Sequence, residues 1–490
     1  MGKKQIRLPK SVLLKRTDNF EQASSSEPQT AEEFYDAAVN YDESGDRWFS
    51  SDLSKGIRFY HRAHVNYKQS LKLNPIMLDS LYNLPRLEFD VYNKYIKDDS
   101  VILEDLNNCA EALNDNGPGG LFQDISSLCN SFEASIEILQ QSGNGNTLGW
   151  DFFYNTALCY SEYIEILCSD PSILVDMSPE NLLVKATQRC IYMFDKVLNT
   201  MEEILVSVKD DGILNYESVA SLCIESYRMF SCVYETLYDE NLIGIFDSFM
   251  GQYLSKVDSV VLGLISNSLS DDILIPLKIA KLNERSSRQL DFDNFSNIWM
   301  SEGELNNNNE KRLTEASSIR SYLDKFETVG IKIPTTKKWF ILTELNAKYK
   351  TIVDTLRTQI DHLTKIQNSE NDLLSGQISL LCSIFIERAD IDLERSTFEI
   401  QEAVNNCEIL VNNSKNLLKN ALIFSKKSGG IRESSSGKLA RSKRQREAAM
   451  RLCLIERKSQ EDWNKIIGEK YWQTELNALS DIEGYKQFFS

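Results

Sequence analysis

Residues 31–49, AEEFYDAAVNYDESGDRWF, and 59–75, FYHRAHVNYKQSLKLNP, followed at once by 76–89, IMLDSLYNLPRLEF, decide the fold. In the first stretch Phe34, Ala37, Ala38 and Tyr41 recur three to four residues apart, the spacing of one helix face. Thr30, with Glu33 three residues on, has the form of a capping box, so this helix starts at Ala31. The pattern predicts a helix over 31–44, with Gly45-Asp46 as stop and turn. A second helix over 53–73 sets Ile57, Tyr60, Ala63, Tyr67 and Leu71 on one side. Asn74-Pro75 ends it, because Pro75 has no amide hydrogen and pushes Asn74 out of the helical region. A third helix opens with Leu78, Leu81, Tyr82, Leu84 and Leu87.

These residues resemble the tetratricopeptide repeat family. Phe34, Ala37, Ala38 and Tyr41 match its first helix, and Ala63, Tyr67, Ser70 and Pro75 its second. Leu81, Tyr82, Asn83 and Leu84 open the next unit. Two features depart from the pattern: about thirteen extra residues around Trp48–Arg62, and Pro85 where the family prefers Gly or Ala. The resemblance covers 31–90. It implies stacked helix pairs with a concave, ligand-binding side lined by the first helices. Some members clamp an acidic C-terminal tail with Lys and Asn. Asn83 matches one clamp position, but Tyr35 and Val39 stand where Lys and Asn belong.

Working outward, a second echo lies at Phe153–Tyr160, with Cys190, Phe194, Val197 and Leu198 as its partner. Between the echoes a helix pair is expected over 100–113 and 121–140, broken by Asn116-Gly117-Pro118-Gly119-Gly120. Text over 214–300 stays helical, and Asn306–Asn309 reads as an exposed loop. After Pro334 a long helix carries Leu342, Leu345, Tyr349, Ile352, Leu356, Leu363 and Ile366. Residues 370–424 offer it an apolar face at Leu373, Ile378, Leu381, Ile384 and Phe385. Packing in an antiparallel hairpin or an intermolecular coiled coil would each use that stripe. The expected organisation is all-α: a basic arm 1–30, a tetratricopeptide-like solenoid 31–300, a linker 301–335, a helical hairpin 336–424, a basic linker 425–440, and a helical segment 441–490.

Of 490 residues 42% are hydrophobic and 10% aromatic, enough for a large core, which excludes wholesale disorder. Net charge is −18, unevenly placed. Met1–Arg16 has six bases and no acid, and 426–458 has eleven bases against three acids. The remainder carries −32. An acidic body repels nucleic acid and anionic lipid and attracts basic partners, although acidic faces also serve solubility. Ten cysteines without a C-x-x-C pair read as small core residues in a reducing compartment. No apolar run reaches the eighteen or so residues that span a bilayer. The expected location is cytoplasmic and/or nuclear.

No catalytic, cofactor or metal set stands out. His61 and His64 share a helix face, but the surrounding sequence offers no further ligand. Gly143–Gly149 resembles a phosphate loop only faintly, and Asp210-Asp211-Gly212 and Asp291-x-Asp293 miss the calcium-loop register. The expectation is a non-enzymatic adaptor or dedicated chaperone that receives a basic client, such as a ribosomal protein or histone, on an acidic helical surface. The alternative is a scaffold subunit of a larger complex. Phe34, Tyr35, Tyr41, Tyr82, Asn83 and Tyr154 are the candidate groove residues. Lys426, Lys427, Arg441, Lys443, Arg444 and Arg446 resemble a bipartite nuclear-import signal or a solvated basic linker. Direct nucleic-acid and membrane binding are disfavoured; oligomeric state and the partner's name are left open.

Overall fold

A computed structural model describes residues 27–143, 148–175, 178–206, 216–265, 269–365, 373–430, 433–480 and 482–489. Most of the basic arm, four residues of the Gly143–Gly149 loop, Asp210-Asp211-Gly212 and Ile366 lie outside these residues. The chain divides into two compact units, Lys4–Gly303 and Glu304–Ser490.

The fold is all-α. Among the described residues, the one pairing of extended backbone is an isolated bridge between Asn116 and Phe122. The N-terminal unit holds α1 (Ala31–Phe49), α2 (Leu53–Leu73), α3 (Leu78–Val91), α4 (Ala110–Asn114), α5 (Ile125–Gln141), α6 (Trp150–Cys168), α7 (Leu182–Val206), α8 (Tyr216–Tyr234), α9 (Glu240–Ile265), α10 (Asp271–Ser287) and α11 (Phe292–Met300). Helices pack largely on their neighbours along the chain: α1 on α2, α2 on α3, α3 on α5, α5 on α6, α6 on α7 and α8, and α8 on α10. This is the logic of a helical repeat, in which each pair leaves an apolar side that the next helix covers. A continuous core runs from Phe89 to Ala280.

The first hairpin forms as its caps dictate. Thr30 Oγ1 accepts from the Glu33 amide at 3.2 Å, and the Glu33 carboxylate accepts from the Thr30 amide at 3.2 Å. Gly45, however, is not a stop. It lies inside α1, where a Cβ would come within 2.4 Å of the Tyr60 ring. The glycine therefore admits an aromatic ring against the helix, and the Tyr60 hydroxyl donates to Asp46 at 2.8 Å. The expected helix at 100–113 is also absent. That stretch holds a 3-10 turn, Leu103–Asp105, and the short α4. Leu103, Leu106, Ala110 and Leu113 keep helical spacing, but Asp105, Asn107 and Asn108 compete locally for the backbone, and Asn108 takes a φ of 56°. α3 packs on α5, the next long helix along the chain.

The C-terminal unit holds α12 (Asn309–Glu327), α13 (Thr335–Lys365), α14 (Leu373–Ser396), α15 (Gln401–Ser425), α16 (Ser435–Ile455), α17 (Gln460–Ile466), α18 (Trp472–Asn477) and α19 (Glu483–Lys486). Three expectations change here. The Asn tract does not lie in a long linker: Asn308 caps α12, its side chain accepting from the Lys311 amide. The region 336–424 is three helices rather than two, with α14 packed against α13 and α15. The basic linker closes early, because Ser434 caps α16 through the Gly437 amide.

α14 is the hub of this unit, also touching α16 and α19. Its last turns bury Asp390, Asp392 and Glu394, and a buried carboxylate persists only when paired. Arg451 of α16 donates to Asp390 at 3.0 Å and Tyr485 of α19 at 2.8 Å. Asn346 of α13 donates to Asp392 at 2.7 Å. Arg320 of α12 and Lys338 of α13 lie 3.4 and 2.5 Å from Glu394. Three acids thus tie four helices to one. No helix among the described residues is long and apolar enough to cross a membrane.

Candidate protein-binding face

Helices α1, α3 and α6 open successive hairpins, and their polar sides carry the chemistry. On α1, Tyr35 and Asp42 are seven residues apart and share a face. On α3, Asp79, Asn83, Arg86 and Asp90 repeat every three or four residues. The two faces meet through Arg86. Its guanidinium pairs with buried Asp42 across the helices and donates to Asp90 at 3.3 Å and to Asn83 Oδ1 at 3.1 Å. Burial alone would discharge Arg86, but Asp42 and Asp90 outweigh it and hold its pKa above the usual range. One turn further, Lys94 bridges Asp46 at 2.8 Å and the Tyr60 hydroxyl at 2.7 Å.

Around this rigid centre lie half-buried aromatics and carboxylates. The Tyr35 ring sits 6.0 Å from that of Tyr67. Burial first, then Asp79 and Asp36, raise the Tyr35 pKa, so it stays a neutral phenol. Tyr82 packs on Phe152 of α6 at 5.7 Å and accepts from Asn155 at 3.1 Å. Its pKa is raised by burial and then by Asp151. The face therefore offers neutral hydroxyls and aromatic edges among Asp36, Asp79 and Asp151. Such groups accept hydrogen bonds from Lys and Arg and stack against their apolar stems.

The structure divides the six sequence candidates. Tyr35, Tyr82 and Asn83 belong to this face, although the Asn83 amide is spent on the Asp79 carbonyl and on Arg86. Tyr41 lies elsewhere, stacked on Phe59 at 6.3 Å with Arg62 over both rings. Phe34 is half-buried, seven residues from Tyr41 and so on the same side of α1. Tyr154 is a core residue beside α8, its pKa raised by burial. Sequence reading missed Asp36, Asp79, Asp151 and Asn155. The signal was present, since the acids fall at helical spacing opposite the apolar stripe, but which stripe faces outward is set by packing.

The basic cluster is not a free tail. Arg441 donates to Glu433 at 2.5 Å and to the carbonyls of Ser425 and Lys427 at 2.6 and 2.8 Å. Arg444 pairs with Glu447 at 2.6 Å, and Arg446 with Glu475 at 3.3 Å. Lys443 sits 3.8 Å from Glu447. Lys427 covers the Phe424 ring at 4.2 Å, and Lys426 is exposed at the end of α15. Four of these six residues, Arg441, Lys443, Arg444 and Arg446, lie inside α16.

His61 and His64 do find acidic neighbours, contrary to what the local sequence suggests. Buried His64 lies with Nε2 3.1 Å from Glu88 and Nδ1 2.9 Å from Asp115, and His61 Nε2 is 3.7 Å from Asp115. Burial works against a charged His64, but Asp115 and Glu88 prevail and raise its pKa. This is an ion-paired latch between α2, α3 and the segment after α4. Among the described residues no group of three or more His, Cys, Asp and Glu converges to hold a metal ion.

Comparison with known proteins picks out the second unit. Residues 308–488 match the family whose model is described as the YNL193W C-terminal domain. The Saccharomyces cerevisiae protein named "Uncharacterized protein YNL193W" is 28% identical over 176 residues. The match takes in 35% of this chain and 30% of the yeast protein. Among solved structures, a "circular tandem repeat protein with novel repeat topology and enhanced subunit contact surfaces" aligns over 94% of this chain and 98% of its own. Its identity is 13% and its TM-score 0.24, too low to carry an argument. The matched stretch of 308–488 and the compact unit from Glu304 coincide almost to the residue.

Proposed function

We propose that the chain is a non-enzymatic protein-binding adaptor or dedicated chaperone, with tetratricopeptide-like repeats in its N-terminal unit, that receives a basic client on the α1/α3/α6 face. The observation that carries this reading is the partition of charge. Residues 31–303 contain 43 acids and 19 bases, a balance of −24, whereas 304–490 contain 26 acids and 29 bases. The acidity belongs to the repeat unit alone. A client such as a ribosomal or histone-like protein supplies Lys and Arg to Asp36, Asp79 and Asp151, and apolar stems to Tyr35 and Tyr82. The ionic atmosphere limits the field to about 8 Å at physiological salt, so charge speeds encounter and the aromatic contacts set residence. Such a client places the protein in the cytoplasm or nucleus.

Fluorescence anisotropy with a labelled Lys/Arg-rich peptide tests the reading. Binding should weaken steeply with salt and fall about tenfold or more in the Asp36→Lys/Asp79→Lys protein. Binding that survives high salt, or ignores the double substitution, refutes it. A second reading, a scaffold subunit, draws on α15, whose Val404, Ile409 and Ile423 are exposed within the stretch shared with yeast. If that reading holds, Ile409→Asp and not the acidic-face variant releases the copurifying partners.

A further inference from the structure

α2 contradicts the unit it belongs to. In a region with a balance of −24 it carries Lys55, Arg58, Arg62, Lys68 and Lys72, two histidines and no acid. Helical spacing sets Arg58, His61, Arg62, Val65, Gln69 and Lys72 on one arc. The N-terminal half of that arc is already covered by the chain's own residues 104–119. The Arg58 guanidinium donates to the Asn107 carbonyl at 3.0 Å, and Ser54 Oγ accepts from the Asn107 amide at 3.0 Å. His61 faces Asp115, and Lys68 Nζ donates to the Gly119 carbonyl at 2.9 Å. The covering stretch contains Glu104, Asp105, Glu111 and Asp115, no base, and an apolar side with buried Cys109 and Ala112. α2 therefore already holds an acidic, amphipathic segment in cis, through backbone groups at Asn107 and Gly119 and through the Asp115 carboxylate at its histidines.

That cover stops short. Beside it runs a cleft of about 390 Å³ along α2, lined by His61, Val65, Lys68, Gln69 and Lys72 and walled on the far side by the cover's own Glu111, Asn114 and Asp115. Three large apolar side chains stand open beside the lysines: Val65, Leu73 and Ile76 are each 49% exposed. Apolar residues interleaved with cations on one face ask for the mirror pattern in a ligand.

We propose that the C-terminal half of α2 together with the turn after it, from His61 to Ile76, docks an acidic amphipathic segment of a partner protein. Its apolar side chains rest on Val65, Leu73 and Ile76, and its carboxylates meet Arg62 and Lys72. This site is distinct from the α1/α3/α6 face and takes ligands of opposite charge. The protein thereby joins a basic client to an acidic partner.

The test uses the full chain and a fluorescein-labelled helix about 16 residues long, four to five turns, with Leu at i, i+3 and i+4 and Glu elsewhere. A copy with Lys in place of Glu, a single-stranded oligonucleotide and phosphatidylserine vesicles serve as competing probes. Expected are binding of the Glu peptide at least about tenfold tighter in wild type than in Lys72→Glu/Leu73→Ser, and no change in Asp36→Lys/Asp79→Lys. Both α2 substitutions are at exposed positions, and an unchanged melting curve confirms folding. A benzophenone at one Leu of the peptide gives a second measurement, with crosslinks expected within 61–76. Equal binding to the α2 variant, crosslinks elsewhere, or vesicles or oligonucleotide binding more tightly than the peptide in an α2-dependent way would each overturn the proposal.

Discussion

The latch at His64 makes the sharpest prediction about pH. The imidazole is 0% exposed and its partner Glu88 3%. The carboxylates of Glu88 and Asp115 lie 3.1 and 2.9 Å from the two ring nitrogens, and both can be ion-paired only when the ring is a cation. Substituting His64→Leu leaves Glu88 buried and unpaired, at a cost of about 3–5 kcal/mol. At about 1.4 kcal/mol per decade, local opening rises two to three orders of magnitude. Removing both partners in His64→Leu/Glu88→Leu recovers most of that loss, since an apolar pair of similar volume carries no stranded charge. The sign with pH follows from the raised pKa of His64. A base whose folded pKa exceeds its unfolded value of about 6.5 gives its full stabilisation below that pH, and loses it as pH rises through the folded value. Hydrogen exchange read by mass spectrometry on peptides from 53–73 and 107–123, corrected for intrinsic rates, measures this directly. Wild type should lose protection in both peptides as pH rises from about 6 to 9, while the double variant stays flat. Flat protection in wild type, or a His64→Leu protein indistinguishable from it, would refute the latch.

Four further substitutions probe the packing. Gly45→Ala drives a methyl to within 2.4 Å of the Tyr60 ring, so the melting temperature should fall by the equivalent of about 1–3 kcal/mol of overpacking. Arg86→Met strands Asp42, only 2% exposed, and should cost about 3–5 kcal/mol in urea unfolding, largely recovered by adding Asp42→Leu. In the C-terminal unit a Cβ on Gly484 would lie 3.0 Å from the Glu394 amide nitrogen and 3.2 Å from the Leu393 carbonyl carbon, backbone that cannot step aside. Gly484→Ala should therefore lift α19 from α14 and open 480–490 to limited proteolysis, whereas Tyr485→Phe should cost only about 1 kcal/mol because Arg451 still holds Asp390.

Periodicity made the helices legible and little else. The apolar spacing of 53–73 and 335–365 is long and regular, and those helices appear where the pattern puts them. Short apolar runs misled: 100–113 sets Leu103, Leu106, Ala110 and Leu113 at helical spacing, yet a 3-10 turn and the short α4 form there. Glycine read as a breaker at 45, because the close ring that requires it comes from Tyr60, fifteen residues later. The Asp42–Arg86 pair and the His64 partners were invisible for a related reason. Asp42 and Arg86 are forty-four residues apart, and His64 and Asp115 fifty-one, so no local window contains both.

The same separation governs the basic cluster. Residues 385–396, FIERADIDLERS, look like the charged outer face of a helix. They are the centre of a unit, because Arg320, Lys338, Arg451 and Tyr485 arrive from four other helices to neutralise or bond them. Cations needed inside must be supplied from somewhere, and α16 is where much of the supply sits. Arg451 goes to the hub, Arg446 to Glu475, and Arg441 to Glu433 and two carbonyls at the end of α15. Arg451 is the α16 base that reaches the acids at 390–394, and neither it nor Asp390 can change alone without leaving a buried charge unmatched. That mutual constraint gives the unit a physical reason to persist as a block, and it is the block, 308–488, that this chain shares with the yeast protein.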